Sequence, residues 1–427
     1  MNYKLRELLE DKGYIRGPFG SALKRNELKT HGIPVYEQQN AINNHRNFRY
    51  YIDEKKYEEL KRFTVRPNDL VISCSGTVGK ITLIKQDDPK GIISQALLIL
   101  RPDTSKILPE FLFYFFISSR GYNSIISRSS GSVQVNIAKR EIIEDIEIEV
   151  PSKEEQIKII SLLKTIDNKI ELNNRINKTM EELAQSIFTR WFLHFEFPNE
   201  EGLPYKAGGG NFKETDIGDI PQEWELKDLN DVTFINPRET LKKGEQATYV
   251  EMANLPVNSA RVKKYVVKAF AGGTKFRNGD ILFARITPCL ENGKTAIVDF
   301  LESEQIGFGS TEYIIMRPSY LNSYFLYCLA RSSDFRNYAI KNMNGSSGRQ
   351  RVDAKIIKKY KICCPDKRLL ARFNTFCESL FLKMKKNDDE SISLQQIRDK
   401  LLPKLMSGKV HILEEKKEVE ECLQKSN

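Results

Sequence analysis

The chain repeats a set of short sequence motifs once, at an offset of about 211 to 217 residues. Residues 66–73 (RPNDLVIS) resemble residues 277–284 (RNGDILFA), and residues 95–102 resemble residues 311–318. A period of this length is far longer than the roughly 20 to 50 residues of a solenoid repeat. The 427 residues therefore predict one domain used twice.

Both copies continue in the same order, with a Gly-Lys pair, an aromatic segment, a loop of small residues and a strand that ends before a proline. Short alternating apolar runs in each copy, separated by Gly and Pro, predict strands and turns. We expect each copy to be a mixed α+β domain with a curved sheet, over residues 1–151 and 223–365.

After each domain the apolar spacing changes from two residues to about 3.5, which predicts a long helix with a coiled-coil seam. These spacer helices are expected at 152–195, where Ser152 and Glu155 form a capping box, and at 366–412. The predicted apolar positions are Ile159, Leu163, Ile166, Ile170, Ile176, Met180, Leu183 and Ile187, and then Phe373, Phe376, Leu380, Met384, Leu394, Ile397, Leu401 and Leu405. We expect the helices to pair with each other as an antiparallel coiled coil; the alternative is that each packs into its own domain.

Polar residues interrupt both stripes. Asn173, Asn174 and Asn177 break the first, and the charged run 385–390 breaks the second. Pro403 is expected to kink the second helix, and Gly408 to end it. Residues 196–222 are predicted to be a linker, and residues 413–427 a charged tail.

Composition limits the chemistry. The net charge of +10 is compatible with a polyanionic partner, although a high pI alone does not require one. Seven cysteines without a CxxC pair, and four scattered histidines, favour reduced thiols over disulfides or zinc. No apolar run reaches the roughly 20 residues of a membrane helix, and the N-terminus lacks an apolar signal core, so a cytoplasmic protein is expected.

Catalytic motifs are missing from the sequence. The Gly-Lys pairs at 79–80 and 293–294 lack the first glycine of a phosphate-binding loop, where Cys74 and Pro288 stand. Residues 270–274 resemble a methyl-donor loop, but a turn-like segment follows them in place of a helix. The Asn/Asp-Pro-Pro-aromatic motif of amino methyltransferases does not occur. We therefore do not expect ATP hydrolysis by this chain.

Polar loops that recur in both copies are suited to DNA. Gln and Asn pair with adenine and Arg with guanine, whereas Lys and Arg also contact phosphates. The first domain offers Lys24, Arg25, Gln38, Gln39, Asn40, Asn44, His45, Arg46, Arg49, Ser75, Thr77, Arg128, Ser130, Ser132 and Gln134. The second offers Arg238, Arg285, Thr287, Ser310, Thr311, Ser346, Ser347, Arg349, Gln350 and Arg351. For each single residue the alternative is a solvated loop.

The order of these motifs resembles the specificity subunit of type I restriction-modification systems. The phrases that carry the resemblance are NGDILFARITP (278–288), GSTEY (309–313) and RDKLLPKLMSG (398–408), with GPFGS (17–21) and ISQALL (93–98) in the first copy. The resemblance implies two target recognition domains, each reading half of a split DNA site, with the helices as an antiparallel spacer. A helix of about 35–40 residues spans roughly 50–60 Å, which limits the separation of the half-site centres to roughly 15–18 base pairs.

The same resemblance implies partners. The helices would dock two methyltransferase subunits, which use S-adenosylmethionine, and motor-nuclease subunits, which use ATP and Mg²⁺, would join the complex. The helix residues predicted to serve partner binding are Ile166, Ile170, Ile176, Leu183, Ile187, Phe376, Leu380, Leu394, Ile397, Leu401 and Leu405. The chain itself would have no catalysis of its own and would bind double-stranded DNA but no cofactor, metal or membrane. Because residues 75–80 (SGTVGK) differ from 285–288 (RITP), we expect an asymmetric target. Two alternatives stay open: a bivalent nucleic-acid adaptor without methyltransferase partners, and a stand-alone DNA-modifying enzyme or nuclease.

Overall fold

The computed structural model describes residues 1–127, 136–346 and 348–407. The chain divides into two compact units. One contains Met1–Lys169 and the described residues from Ser393 onward, and the other contains Ile170–Ile392. The division falls inside the two long helices, so each unit is one α+β domain with its own segments of both helices.

In the first unit the described strands form an antiparallel sheet in the order β2-β8-β5-β6 and a smaller sheet in the order β4-β3-β7, in which β3 and β7 are parallel. Strand β1 pairs with β9 and joins the two ends of the domain. The strands are β1 (Asn2–Lys4), β2 (Leu9–Arg16), β3 (Ile33–Tyr36), β4 (Tyr51–Ile52), β5 (Leu70–Ser73), β6 (Ile81–Leu83), β7 (Ile92–Ile93), β8 (Leu97–Pro102) and β9 (Glu147–Glu149). The helices are α1 (Gln38–Asn43), α2 (Glu54–Glu59), α3 (Pro109–Ile117), α4 (Ser119–Ile126), α5 (Arg140–Glu144) and then the long α6 (Lys153–Phe188).

The second unit repeats this plan. Its described strands form the sheets β13-β20-β17-β18 and β15-β14-β19-β16, and β12 pairs with β23 as β1 does with β9. The strands are β10 (Phe212–Lys213), β11 (Ile220–Pro221), β12 (Glu225–Asp228), β13 (Thr233–Ile235), β14 (Gln246–Val250), β15 (Val266–Ala269), β16 (Thr274–Phe276), β17 (Ile281–Ala284), β18 (Thr295–Ile297), β19 (Gly307–Gly309), β20 (Tyr313–Pro318), β21 (Met343–Asn344), β22 (Arg351–Val352) and β23 (Lys361–Cys364). The helices are α7 (Leu229–Val232), α8 (Ser323–Arg331), α9 (Ser333–Lys341), α10 (Ala354–Lys358) and the long α11 (Lys367–Met406). The predicted duplication is therefore present in the topology.

The same buried ion pair occurs in both domains. Arg101 donates from Nε and Nη2 to Asp69, each at 2.8 Å, and Arg317 donates in the same way to Asp280, each at 2.7 Å. Both aspartates are fully buried. Since Asp280 directly precedes β17 and Arg317 is the penultimate residue of β20, the pair holds together the two central strands of the sheet. Hydrogen bonds to Asp280 raise the pKa of Arg317.

The long helices pack both into their own domains and against each other, so both sequence-based alternatives hold. In the first unit Ile159, Leu163 and Leu405 belong to the domain core, and Arg398 of α11 donates to Asp167 of α6 at 2.8 Å. In the second unit the ring of Phe188 lies 6.2 Å from that of Phe373. Asn173 and Asn177 meet residues 384–391, so the helices run antiparallel in this unit.

The position of the helix seam differs from the prediction. The buried face of α6 passes through Asn173, Asn177 and Ala184, whereas Ile176 and Ile187 are half-buried and Leu183 is 44% exposed. The reason is that Asn173 and Asn177 lie on the seam, where they have hydrogen-bond partners on the other helix. The prediction located the seam from apolar residues alone and so left these asparagines out. On α11, Leu405 is buried; Phe376, Leu380, Leu394 and Leu401 are half-buried; and Ile397 is 47% exposed. Ile166 and Ile170 are buried as predicted.

Helix α11 is continuous through the charged run 385–390 and Pro403, in agreement with one predicted helix. In the predicted linker, the ring of Phe197 lies 4.5 Å from that of Tyr205 and 5.1 Å from that of Trp224, which follows the linker. Ser152 accepts a hydrogen bond from the Glu155 amide and caps α6 as predicted. Gly408 and the tail lie outside the described residues.

Candidate nucleic-acid interface

Three segments meet at one polar surface of the first domain. The side-chain amide of Gln38, at the start of α1, donates to the carbonyl of Ser75. The Ser75 hydroxyl donates to the side chain of Asn136 at 2.8 Å, and the two backbones pair there. The structure therefore brings together α1, the β5–β6 loop and the segment that begins at Asn136.

Several predicted residues of this domain are exposed. Gln39 and Thr77 flank the surface just described, and the guanidinium of Arg49 lies 4.7 Å from the Tyr50 ring. Lys24 and Arg25 are exposed on a separate turn. These side chains are accessible to a ligand.

The predicted DNA-contact residues from Asn40 to Arg46 make hydrogen bonds within their own domain, and their contacts to DNA stay a prediction. Asn40 is 2% exposed, and its Nδ2 donates to the carbonyls of His45 and Asn47. Arg46 donates to Asp88 at 2.6 Å, and the Thr82 hydroxyl donates to Asn44. His45 Nδ1 accepts from the Asn47 amide. The sequence analysis considered only which side chains can donate or accept hydrogen bonds. It could not show these contacts, because they depend on how the loop folds.

A basic crevice in the first domain was missed by the sequence analysis. It has a volume of about 460 Å³. Phe19 is 60% exposed at this crevice, and the Arg16 guanidinium lies 5.8 Å from its ring. The basic residues that line it are Arg16, Arg62, Lys139 and Arg140. The signal available in the sequence was Phe19 in the GPFGS phrase, since an exposed Phe beside arginines is typical of nucleic-acid surfaces.

The second domain has a charged cluster at the matching place. Arg351 Nε donates to both carboxylate oxygens of Glu312, at 2.8 and 2.9 Å. Arg285 Nε lies 3.9 Å from the same carboxylate. The Thr287 amide donates to the Gln350 carbonyl, which brings the two loops together. The structure thus brings the candidates Arg285, Thr287, Gln350 and Arg351 together around Glu312, which the sequence analysis did not select.

The other predicted residues of the second domain surround this cluster or lie on exposed loops. Ser310 accepts a hydrogen bond from the Glu312 amide at 3.1 Å. Thr311, Ser346, Arg349 and Arg238 are exposed. Predicted residues Arg128, Ser130, Ser132, Gln134 and Ser347 lie outside the described part of the chain.

The two surfaces share one backbone framework. Cys74 donates its amide to Ala96 and accepts from the amide of Ile137, at 2.8 and 2.9 Å. In the second domain Arg285 makes the same two bonds, to Glu312 and from Val352, each at 3.0 Å. Matching backbone positions therefore carry Cys74, Ala96 and Asn136 in one domain, and Arg285, Glu312 and Arg351 in the other. The two domains therefore share the backbone arrangement at this surface but differ in the side chains that it carries.

Two further observations concern reactive groups and membranes. Burial raises the pKa of the Cys74 thiol to about 12, so this thiol stays protonated at neutral pH.

Within the described ranges, no three His, Cys, Asp or Glu side chains lie close enough together to hold a metal ion. No helix in those ranges is long and apolar enough to cross a bilayer.

This pair of matched domains has a counterpart among known proteins. The model of the family described as type I restriction modification DNA specificity domain matches the chain twice, at residues 10–182 and 221–389. The chain belongs to this family. The resemblance based on the order of sequence phrases is thereby confirmed.

Two relatives match most of the chain. The type I restriction enzyme MjaIX specificity subunit of Methanocaldococcus jannaschii is 26% identical, over 95% of this chain and 93% of that protein. The HindI specificity subunit of Haemophilus influenzae is 24% identical, over 78% and 84%. The crystal structure of the type I restriction-modification S subunit from M. genitalium shares the fold, with a TM-score of 0.53, 15% identity and 95% coverage of both chains.

Membership of the specificity family decides between the functional classes. The relatives are specificity subunits, so this chain is a DNA-recognition component and not a catalyst. Neither the stand-alone enzyme nor the adaptor without restriction-modification partners is favoured. The fold of two α+β domains with long antiparallel helices is the one predicted for this family.

Proposed function

We propose that this chain selects the DNA target of a type I restriction-modification complex, and that each domain reads one half of a split, asymmetric duplex sequence. The observation that carries the proposal is the shared backbone frame with Cys74, Ala96 and Asn136 in one domain and Arg285, Glu312 and Arg351 in the other. Domains that place different side chains on the same frame should read different half-sites, because base readout depends on donor and acceptor patterns.

In the first domain, Gln38, Gln39, Ser75 and Thr77 are the proposed base-reading group, because their segments share one surface. The exposed cations provide phosphate contacts, which position the domain and make binding sensitive to salt. These cations are Lys24, Arg25 and Arg49, together with Arg16, Arg62 and Lys139 of the basic crevice. In the second domain the proposed group is Arg285, Thr287, Thr311, Gln350 and Arg351, with Arg238 and Arg349 at phosphates.

Double-stranded DNA, methyltransferase subunits and, through the complex, motor-nuclease subunits are the proposed partners. The partners would bring S-adenosylmethionine, ATP and Mg²⁺. On the long helices, exposed apolar side chains offer contact area for the methyltransferase subunits. These side chains are Ile157, Leu172, Leu183, Leu382, Ile392 and Ile397.

The proposal is tested by mapping methylated bases in cells with and without the gene. We expect one split, asymmetric motif to lose its methylation when the gene is deleted, and to regain it when the gene is restored. The purified chain alone, with DNA, Mg²⁺ and S-adenosylmethionine, should show no turnover. A methylation map that is unchanged by the deletion would contradict the proposal and favour an adaptor.

A charge placed on the exposed face of α6 should weaken docking of the methyltransferase. For Leu183→Glu we expect at least a tenfold loss of affinity for the methyltransferase subunit, because a buried unpaired carboxylate is costly at an interface. Chain stability should change by less than about 0.5 kcal/mol, because Leu183 is 44% exposed. The measurement is calorimetric titration of the chain with the methyltransferase subunit.

The matched control is Lys178→Glu, on the same helix, where the side chain is 75% exposed. This variant should bind within about twofold of the unaltered chain, provided that the docking area is apolar. Equal binding by Leu183→Glu and the unaltered chain would place the docking surface elsewhere.

A further inference from the structure

The guanidinium of Arg351 is held in place before any ligand binds. Its Nε donates to both oxygens of Glu312, and its Nη1 donates to the carbonyl of Arg349 at 3.3 Å. The described residues provide no hydrogen-bond acceptor for Nη2, and the side chain is 42% exposed. The guanidinium of Arg351 is therefore oriented by the contacts of its Nε edge, and its terminal nitrogens stay accessible to a ligand.

Two buried polar atoms in this cluster have no hydrogen-bond partner among the described residues. They are Arg285 Nε, which lies 3.9 Å from the Glu312 carboxylate, and the hydroxyl oxygen of Thr287. A buried polar group that lacks a hydrogen bond costs free energy, so a local rearrangement on ligand binding that supplies a partner would be favourable. Both residues are in the loop whose backbone pairs with that of Arg351.

The carboxylate in the centre of the cluster discriminates between two kinds of DNA contact. Glu312 repels phosphate oxygens and offsets part of the positive charge of Arg285 and Arg351. A phosphate-binding cluster would gain nothing from such a residue, since phosphate affinity comes from net positive charge. The edge of guanine, in contrast, presents neutral acceptors, O6 and N7, that match the paired N–H groups of an arginine.

We propose that Arg351, oriented by Glu312, reads a guanine in the half-site bound by the second domain. Glu312 is a positioning residue, because it acts through the arginine. This inference rests on the proposed function, and it specifies which base is read and which side chain reads it. In the first domain Asn136 and Ala96 occupy the matching positions, so the corresponding base there is read by different chemistry.

The test uses the complex of the full chain with its methyltransferase subunits and a duplex library randomised within the second half-site. The unaltered chain should select a guanine at one position. In Arg351→Ala the preference for that guanine should fall by about 10- to 100-fold, the range of a bidentate contact, while the other positions keep theirs. Arg351→Lys should recover little of it, because an ammonium lacks the planar pair of donors.

Glu312→Gln keeps the side-chain shape and should reduce the same preference by a smaller factor, while increasing affinity for unrelated duplexes because a negative charge is lost. A merely structural role of Glu312 would lower affinity for all sequences together. Arg368→Ala, which removes an arginine that is 83% exposed and outside the proposed reading surface, is the matched control and should leave base preference unchanged. Thermal unfolding of each variant separates misfolding from loss of readout.

Three results would overturn the inference. If Arg351→Ala lowers affinity equally for every sequence, Arg351 contacts phosphate. If the unaltered complex selects a sequence without guanine in this half-site, the inference fails while the proposed function stands. If the unaltered complex selects no sequence at all, both fail.

Discussion

Replacing Asp388 by alanine should destabilise the second unit by about 1.5–3 kcal/mol, because the charge-assisted hydrogen bonds that its buried carboxylate accepts are lost. The side chain of Asp388 is 2% exposed and that of Arg261 is 8% exposed. The carboxylate accepts from Arg261 Nη1 at 3.2 Å, from Lys263 Nζ at 2.8 Å and from Asn177 Nδ2 at 3.0 Å. It thus joins α11 to α6 and to the α+β domain.

Equilibrium unfolding in urea, followed by tryptophan fluorescence, measures this effect selectively. The two tryptophans of the chain, Trp191 and Trp224, both belong to the second unit. Glu378→Ala is the control, since Glu378 is an exposed acidic residue on the same helix, and it should change stability by less than about 0.5 kcal/mol. Similar free energies of unfolding for the two variants would show that the buried carboxylate contributes little.

Replacing Arg317 by leucine should cost about 3–5 kcal/mol, because the buried carboxylate of Asp280 loses its guanidinium partner, whereas Glu239 keeps Arg277. Arg317 donates to both oxygens of Asp280 and to Glu239, whose side chains are 1% and 6% exposed. The strands that this pair joins carry Arg285 and Glu312 at their opposite ends. We therefore expect DNA affinity of the second domain to fall together with its stability.

The cost of Arg317→Leu should depend on pH. Burial raises the pKa of Asp280, and loss of Arg317 removes the strongest opposing interaction. A carboxyl group whose pKa is raised by folding destabilises the folded state when it is ionised, so the penalty is full at neutral pH and decreases as the pH falls. Urea unfolding of variant and unaltered chain at about pH 8 and about pH 5.5 should show the smaller difference at the lower pH.

Arg368→Leu is the control for this second prediction. The Arg368 side chain is 83% exposed and pairs with an exposed glutamate at 3.8 Å, a contact of little expected value. We expect its stability to match that of the unaltered chain at both pH values. A penalty for Arg317→Leu that grows toward low pH would contradict the proposed ionisation of Asp280.

Some details could have been read from the repeat and were not. Arg101 and Arg317 stand at matching places in the repeated phrases, as do Asp69 and Asp280. Because the arginine and the aspartate recur together in both copies, they indicated an ion pair, which the sequence analysis did not infer. Glu312 also lies in a repeated phrase. Its partner Arg351 is 39 residues away, and nothing in the local pattern joins them.

The sequence alone determined the duplication, the α+β character of each domain, the long helices and the family, because these depend on periodicity and on the order of motifs along the chain. Only the tertiary structure decided which polar side chains support the fold and which face outward. Asn40 and Arg46 are held inside a loop, Asn173 and Asn177 remain on the helix seam, and Arg351 is oriented by Glu312. The physical reason is that a polar side chain can form hydrogen bonds equally well inside the fold and at the surface. Which of the two it does depends on partners that are distant in sequence.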